Sequence, residues 1–161
     1  AMIAALAVGL CVLIADQVAS GFCKPFFERL RPTHDPELKD ILHIVNDYRS
    51  SLYGFCSSHA SNTFGIATLT CLLFRNKWYS ALIFSWAALN CYSRMYLGVH
   101  FPLDIICGAL VGVAAGYISY FLYKYIVCKF HYFNADKGLM VNNQVLCIGA
   151  VYVLTFGFIL L

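Results

Sequence analysis

The chain has 161 residues, of which 61% are hydrophobic, 16% are aromatic and only 12% are charged. A soluble domain is typically about 45–50% apolar and about 25% charged, so we expect an integral membrane protein rather than a water-soluble one. The same composition excludes a disordered segment, a coiled coil and a small secreted disulfide scaffold. A net charge of +3 is too small and too dispersed for a nucleic-acid-binding surface.

Charged residues divide the sequence into five apolar stretches. Since a spanning helix needs about 20 residues, we predict helices over residues 1–22, 57–74, 78–97, 101–126 and 143–161. The predicted fold is an all-α polytopic transmembrane helical bundle, with five spans visible of six or more. The first span contains Asp16 and the last has no polar flank, so we expect an excerpt of a longer chain.

The eight cysteines form neither a metal-binding nor a disulfide pattern. Most of them fall inside apolar stretches, where cysteine behaves as a small hydrophobic residue. No CxxC or Cys/His ligand spacing occurs. Cys23 and Cys56 are the pair that could meet near a membrane surface, and we do not expect a disulfide between them.

A stripe of glycines marks the fourth span. Gly108, Gly112 and Gly116 repeat every four residues, a spacing that lets two helix backbones approach closely in lipid. Asp104 precedes the stripe on the same helix face and could be an incidental acid at its rim. Because ionisable groups at membrane depth usually face the interior of a bundle, we expect Asp104 to point inward.

Three polar clusters flank the predicted spans, and the number of membrane crossings puts all of them on one side. They cover residues 24–32, 56–61 and 93–104. Each alone is typical of an interfacial anchor, a helix cap or a structural His–Asp pair. Together they bring cations, histidines and an acid to one depth, which a bilayer does not favour without an anionic ligand.

The residue types in these clusters fit a phosphate-binding site. Lys24, Arg31 and Arg94 supply positive charge, and each guanidinium can bind two phosphate oxygens. The free backbone N–H groups where Ser57 and Ser58 begin a helix also attract an anion.

Two histidines in the same clusters could perform catalysis. His100 and Asp104 are one helical turn apart, so the carboxylate can accept a hydrogen bond from one ring nitrogen. The other ring nitrogen is then free to act as a nucleophile. His59 supplies a second imidazole for general acid–base chemistry.

The order and spacing of these residues resemble the three signature motifs of the type 2 phosphatidic acid phosphatase (PAP2) superfamily. The motifs read Lys24-x6-Arg31-Pro32, Ser57-Ser58-His59 and Ser93-Arg94-x5-His100-x3-Asp104. The membrane branch of that family has a core of six helices with the motifs on the last four. The resemblance therefore implies that residues 1–142 form a PAP2-like core lacking N-terminal helices and that residues 143–161 form an additional helix. Cys56 and Ser58 depart from the family's second motif, which usually has Pro and Gly there.

The resemblance implies a metal-independent lipid phosphate phosphatase without a cofactor. His100 would attack phosphorus and form a phosphohistidine, with Asp104 orienting its ring. His59 would protonate the departing lipid oxygen and then activate water. The phosphate-binding residues that the resemblance implies are Lys24, Arg31, Ser57, Ser58 and Arg94.

The expected partners are a membrane lipid phosphate or diphosphate and the bilayer itself, and no nucleic acid. Six Lys and Arg lie on the side of the motifs, three of them in the site, against five on the other side. Without those three site residues the count is three against five, which favours placing the active site outside the cytoplasm. We expect a bacterial inner-membrane protein with its active site facing the periplasm. The alternatives are a lipid phosphotransferase or a lipid A phosphatase using the same site and, from another class, a non-catalytic lipid-binding protein.

Overall fold

The computed structural model describes residues 2–38, 41–42, 44 and 48–129. Within these residues the fold is all-helical, apart from one isolated antiparallel bridge. Helix α1 (Met2–Asp16) continues through a π-helical segment (Gln17–Cys23) into the short α2 (Lys24–Phe27). Three longer helices follow: α3 (Ser58–Phe74), α4 (Lys77–Tyr96) and α5 (Pro102–Lys129). The predicted helix over residues 143–161 lies outside the described residues.

The first helical segment is longer than the predicted 1–22, because the chain stays helical as far as Phe27. The π-helical turns carry the backbone past Asp16 without a break, and such turns are frequent at functional sites. Pro25 lies in the first turn of α2, directly after the π-helical segment, and has no backbone N–H to donate. The helix ends at Glu28, whose positive φ of 46° turns the backbone away.

Helix α3 lies at the centre of the bundle and packs against α1, α4 and α5. Eleven of its 17 residues are buried. Several of them are polar, and two threonines donate within the helix: Thr63 to the His59 carbonyl at 2.8 Å and Thr70 to the Ile66 carbonyl at 2.7 Å. This local pairing lets these two threonines remain in the core without the cost of an unpaired hydroxyl group.

The glycine stripe on α5 packs against α3, as the sequence predicts. A Cβ added at Gly108 would meet the carbonyl oxygen of Ser57, and one at Gly112 would meet that of Ser61. The two helix backbones are therefore closer than any larger side chain would allow. This contact fixes the start of α5 against the start of α3.

The outer surface of the bundle is apolar. Two described segments, Ile3–Phe27 and Pro102–Lys129, are long and apolar enough to cross a membrane. Large side chains such as Leu13, Leu89 and Leu110 are more than half exposed on α1, α4 and α5. A soluble monomer rarely presents so much contiguous apolar surface.

The segment between α2 and α3 folds back over the ends of the helices. Leu30 and Tyr53 form the isolated bridge, and on either side of it Arg31 N–H donates to the Leu52 carbonyl and Gly54 N–H donates to the Arg29 carbonyl. In an extended segment alternate residues point to the same side. The side chains of Arg29 and Arg31 accordingly both reach the region where α5 begins.

Candidate active site

The three polar clusters predicted from the sequence meet at one end of the bundle. Arg31 from the first cluster contacts His100 from the third at 2.8 Å. Lys24 from the first cluster donates to Ser58 of the second at 2.9 Å. The positive charge of Arg94 acts on the half-buried ring of His59. Helix ends that are distant in sequence thus build one site.

The ring of His100 is buried, and its Nε2 atom accepts a hydrogen bond from Arg31. Nη1 of Arg31 lies 2.8 Å from Nε2, and a guanidinium can only donate hydrogen bonds. Nε2 therefore holds the lone pair, and we assign the ring proton to Nδ1 on this ground. Burial lowers the pKa of His100 below its usual value, and Asp104 only partly offsets this. The result is a neutral imidazole whose Nε2 can act as a nucleophile.

Two further bonds hold the Arg31 guanidinium against the ring. Nη1 also donates to the Val99 carbonyl at 2.9 Å, and Nη2 donates to the Ser51 hydroxyl at 3.1 Å. Arg31 is only 4% exposed, which is rare for a charged side chain, and among the described residues it forms no ion pair with a carboxylate. Its charge is therefore available for an anion inside the site.

Asp104 is fully buried, and its two carboxylate oxygens have different neighbours. Oδ2 accepts a hydrogen bond from the Phe101 N–H at 2.9 Å and lies 3.6 Å from Nδ1 of His100. Oδ1 accepts a hydrogen bond from Arg29 Nη1 at 3.0 Å. The predicted His–Asp pairing is present, but 3.6 Å is longer than a hydrogen bond, so the two groups interact electrostatically.

A line of hydrogen bonds along the first helical segment directs Lys24 toward α3. Lys24 Nζ donates to the hydroxyls of Ser20, at 3.1 Å, and Ser58, at 2.9 Å. Ser20 in turn donates to the Asp16 carboxylate at 3.1 Å. The structure thereby connects Asp16 to the site residue Lys24 through the Ser20 hydroxyl.

The start of α3 is tied to the start of α5 through Ser57. Its hydroxyl caps α3 by accepting from the Ala60 N–H at 3.4 Å, and its own N–H donates to the Asp104 carbonyl at 3.0 Å. A serine at this position is a favoured N-cap. These two bonds keep His59, on the first turn of α3, in register with His100.

Three buried nitrogen atoms of the site lack a hydrogen-bond partner among the described residues: Nε of Arg31, Nε of Arg94 and Nδ1 of His100. A buried donor without an acceptor is costly, and the guanidinium is matched geometrically to phosphate oxygens. The arrangement therefore fits an oxyanion that accepts from both arginines. Over that same part of the chain, no group of three or more His, Cys, Asp or Glu side chains could hold a metal ion.

The sequence analysis missed Arg29 and Gly54. Arg29 pairs with Asp104, and its guanidinium lies 4.5 Å from the centre of the Phe101 ring. Its position two residues before Arg31 was a usable signal, because alternate residues of an extended segment share a side. Gly54 gave no comparable signal, yet a Cβ there would lie 3.0 Å from Arg31 Cγ and 3.3 Å from Asp104 Oδ2.

Comparison with known proteins identifies the family. The sequence model of the PAP2 superfamily matches residues 1–128. The chain belongs to the PAP2 superfamily. The matched residues include all three signature motifs, so the resemblance noted in the sequence is confirmed. No solved structure matches the chain.

Two bacterial lipid A 4'-phosphatases are similar to this chain over most of its length. A lipid A 4'-phosphatase of Porphyromonas gingivalis is 49% identical over 119 residues, which are 74% of this chain and 50% of the relative. A lipid A 4'-phosphatase of Bacteroides thetaiotaomicron is 42% identical over 119 residues, which are 73% of this chain and 52% of the relative. An undecaprenyl-diphosphatase of Sulfolobus acidocaldarius is 40% identical over 67 residues, 42% of this chain and 32% of the relative. The chain spans about half the length of the two lipid A 4'-phosphatases.

Proposed function

We propose that this PAP2 chain belongs to an integral membrane phosphatase that removes the 4' phosphate monoester from lipid A through a phosphohistidine intermediate. The observation that carries the proposal is the setting of His100. Its Nε2 accepts a hydrogen bond from Arg31, and the Nε atoms of Arg31 and Arg94 lack acceptors among the described residues. A nucleophilic nitrogen beside unpaired guanidinium donors is what transfer of a phosphoryl group requires.

The choice of lipid A rests on the relatives. The two named as lipid A 4'-phosphatases match 74% and 73% of this chain. The undecaprenyl-diphosphatase and a lipid A 1-phosphatase of Porphyromonas gingivalis match 42% and 41% of it. The broader similarity favours a monoester over a diphosphate, and the 4' position over the 1 position.

In the first chemical step Nε2 of His100 attacks phosphorus. The N–P bond forms as the bond from phosphorus to the lipid oxygen breaks, and His59 donates a proton to that oxygen. Arg31 transfers its hydrogen bond from Nε2 to a phosphate oxygen, so that binding of the substrate frees the nucleophile. Lys24 and Arg94 neutralise the remaining phosphate charge, and Asp104 stabilises the positive charge that develops on the His100 ring.

In the second step water attacks the phosphohistidine. His59, now neutral, accepts a proton from this water, and the N–P bond breaks as the new P–O bond forms. Inorganic phosphate leaves, and His100 and His59 return to their starting protonation states. Ser58 and the backbone at the start of α3 hold the phosphate oxygens during both steps.

We further propose that the chain crosses the inner membrane of a bacterium five times and that its site faces the periplasm. The 17 residues of α3 extend over about 25 Å, and exposed apolar side chains on α4 fit contact with lipid. Residues 1–142 would form the catalytic core, and residues 143–161 would add a further helix. Once Lys24, Arg31 and Arg94 are set aside as site residues, the loops on the other side carry five Lys and Arg against three, and this count supports the orientation.

The test is phosphate release by the full-length protein purified in detergent. The substrates are lipid A phosphorylated at 4' only, lipid A phosphorylated at 1 only, and undecaprenyl diphosphate. We expect release from the 4' monoester, with none from the His100→Ala variant. Release from the 1 monoester or the diphosphate alone would contradict the substrate assignment, and activity in His100→Ala would contradict the mechanism.

A further inference from the structure

We propose that Arg29 is a positioning residue for His100, acting through the carboxylate of Asp104. The inference rests on the proposed function, because it concerns the same nucleophile. Arg29 lies outside the motif positions, and its guanidinium contacts Asp104 at 3.0 Å and the Phe101 ring at 4.5 Å. It therefore influences the reaction without holding the phosphate.

The two oxygens of the Asp104 carboxylate have different partners. Oδ1 accepts from Arg29, which leaves Oδ2 to face Nδ1 of His100 and to accept from the Phe101 N–H. With one oxygen held, the carboxylate cannot rotate about its Cβ–Cγ bond away from the ring. Gly54 closes the other side, since a Cβ there would lie 3.3 Å from Oδ2.

Arg29 also balances the negative charge of the Asp104 carboxylate. The Asp104 side chain is 0% exposed, and a buried carboxylate without a cation would be strongly disfavoured. Arg29 supplies that cation and stays 37% exposed itself, so its own desolvation is modest. Arg29 thus lies on one side of the Asp104 carboxylate and the His100 ring, which becomes positively charged in the phosphohistidine, lies on the other.

Arg29 is itself held by contacts of its backbone and of its guanidinium. Its carbonyl accepts from the Gly54 N–H at 2.9 Å, next to the bridge between Leu30 and Tyr53. Its guanidinium lies over the ring of Phe101, an arrangement that favours a cation. Arg29 is therefore fixed both at its backbone and at its charged end, as a residue that orients another must be.

The test is a double-mutant cycle between Arg29→Gln and Asp104→Asn, measured on lipid substrate and as a burst with nitrophenyl phosphate. We expect Arg29→Gln to lower kcat by about 10- to 100-fold, the range typical when a group that orients a metal-bound histidine is removed. KM should stay within about twofold, because an interaction made only toward the transition state changes kcat alone. In the Asp104→Asn background the same change should cost less than about threefold.

Two variants provide the comparison. Arg29→Lys keeps the charge and should have a kcat between those of wild type and Arg29→Gln. If Arg29→Gln does not fold, Arg29→Lys replaces it in the cycle, with the same expected disappearance of its effect in Asp104→Asn. Arg49→Gln is the control, since it removes one positive charge from the same segment between α2 and α3. Arg49 donates to the Thr33 carbonyl, and its replacement should leave kcat unchanged.

The outcomes separate this inference from the function on which it rests. Equal losses in the wild-type and Asp104→Asn backgrounds, or a raised KM with unchanged kcat, would overturn the role of Arg29 while leaving the phosphatase assignment intact. A wild-type enzyme inactive on every lipid phosphate and on nitrophenyl phosphate would overturn both.

Discussion

Replacing Gly108 by alanine should impair catalysis by moving one catalytic helix relative to another. The added Cβ would meet the carbonyl oxygen of Ser57 and lie 3.0 Å from the Cβ of Ala60. Ordinary carbon contacts are about 3.5–4.0 Å, so α5 must move from α3 by roughly 0.5–1 Å at this point. The hydrogen bond from the Ser57 N–H to the Asp104 carbonyl, 3.0 Å long, crosses the same gap and would lengthen.

The expected loss follows from what the two helices carry. His59 lies on the first turn of α3, and His100 immediately precedes α5. A misplacement of about 1 Å in a catalytic constellation can cost about 10²-fold in rate. Overpacking of this kind also costs about 1–3 kcal/mol of stability. We therefore expect kcat/KM for Gly108→Ala to fall by about 100-fold while the protein remains folded.

Two other glycines serve as controls in the same assay of phosphate release, with thermal unfolding in detergent followed in parallel. The Cβ of Gly116→Ala would lie 2.8 Å from the Cβ of Thr68. Because Gly116 is eight residues, or about 12 Å, further along α5 than Gly108, the stability of this variant should fall more than its activity. Gly9→Ala on α1 meets no atom within 4 Å in the described part of the chain and should leave both unchanged. Wild-type activity in Gly108→Ala, or an equal loss of activity in Gly116→Ala, would refute this reasoning.

Three further predictions test the chemistry and the topology. His100→Ala should form no phosphoenzyme with either lipid phosphate or nitrophenyl phosphate. His59→Ala should slow the phosphorylating step by about 10²–10⁴-fold on the lipid and much less on the nitrophenyl ester, because nitrophenolate is a good leaving group. Equal losses on both substrates, measured by rapid quench, would contradict the general-acid role of His59. Excess chelator should leave activity unchanged if Lys and Arg neutralise the phosphate charge, and activity restored by magnesium after chelation would contradict the mechanism. In a background without native cysteines, Glu37→Cys should react with an impermeant thiol reagent in intact cells and Lys77→Cys should not; the reverse pattern would put the site in the cytoplasm.

The positions of the helices and the meeting of the three polar clusters could be predicted because strong physical constraints act on short stretches of sequence. Uncharged runs predicted the four described helices to within a few residues, except at the end of the first. The glycine repeat predicted a close helix contact, and it is found against α3. His59 and His100 could be assigned to one end of the bundle because an antiparallel path between helices leaves few alternatives.

The remaining features depend on contacts that sequence periodicity does not encode. The helix passes Asp16 through π-helical turns, and nothing in the residue pattern requires the change in hydrogen bonding. Gly54 matters because Arg31 and Asp104 crowd it from two directions, which follows only from the folded path of the 48–57 segment. The role of Arg29 depends in the same way on the bridge that pairs its segment with Tyr53.

In the mechanism proposed above, binding of the phosphate exposes the nucleophile. Nη1 of Arg31 donates to Nε2 of His100, and the same guanidinium has an Nε without an acceptor among the described residues. A neutral imidazole is a weaker acceptor than a phosphate dianion, so an arriving phosphate competes successfully for the Arg31 donors. Loss of that bond frees the Nε2 lone pair next to phosphorus, while Asp104 still faces Nδ1 on the opposite side of the ring. Arg31 thus keeps the nucleophile occupied until a group that can be attacked takes its place.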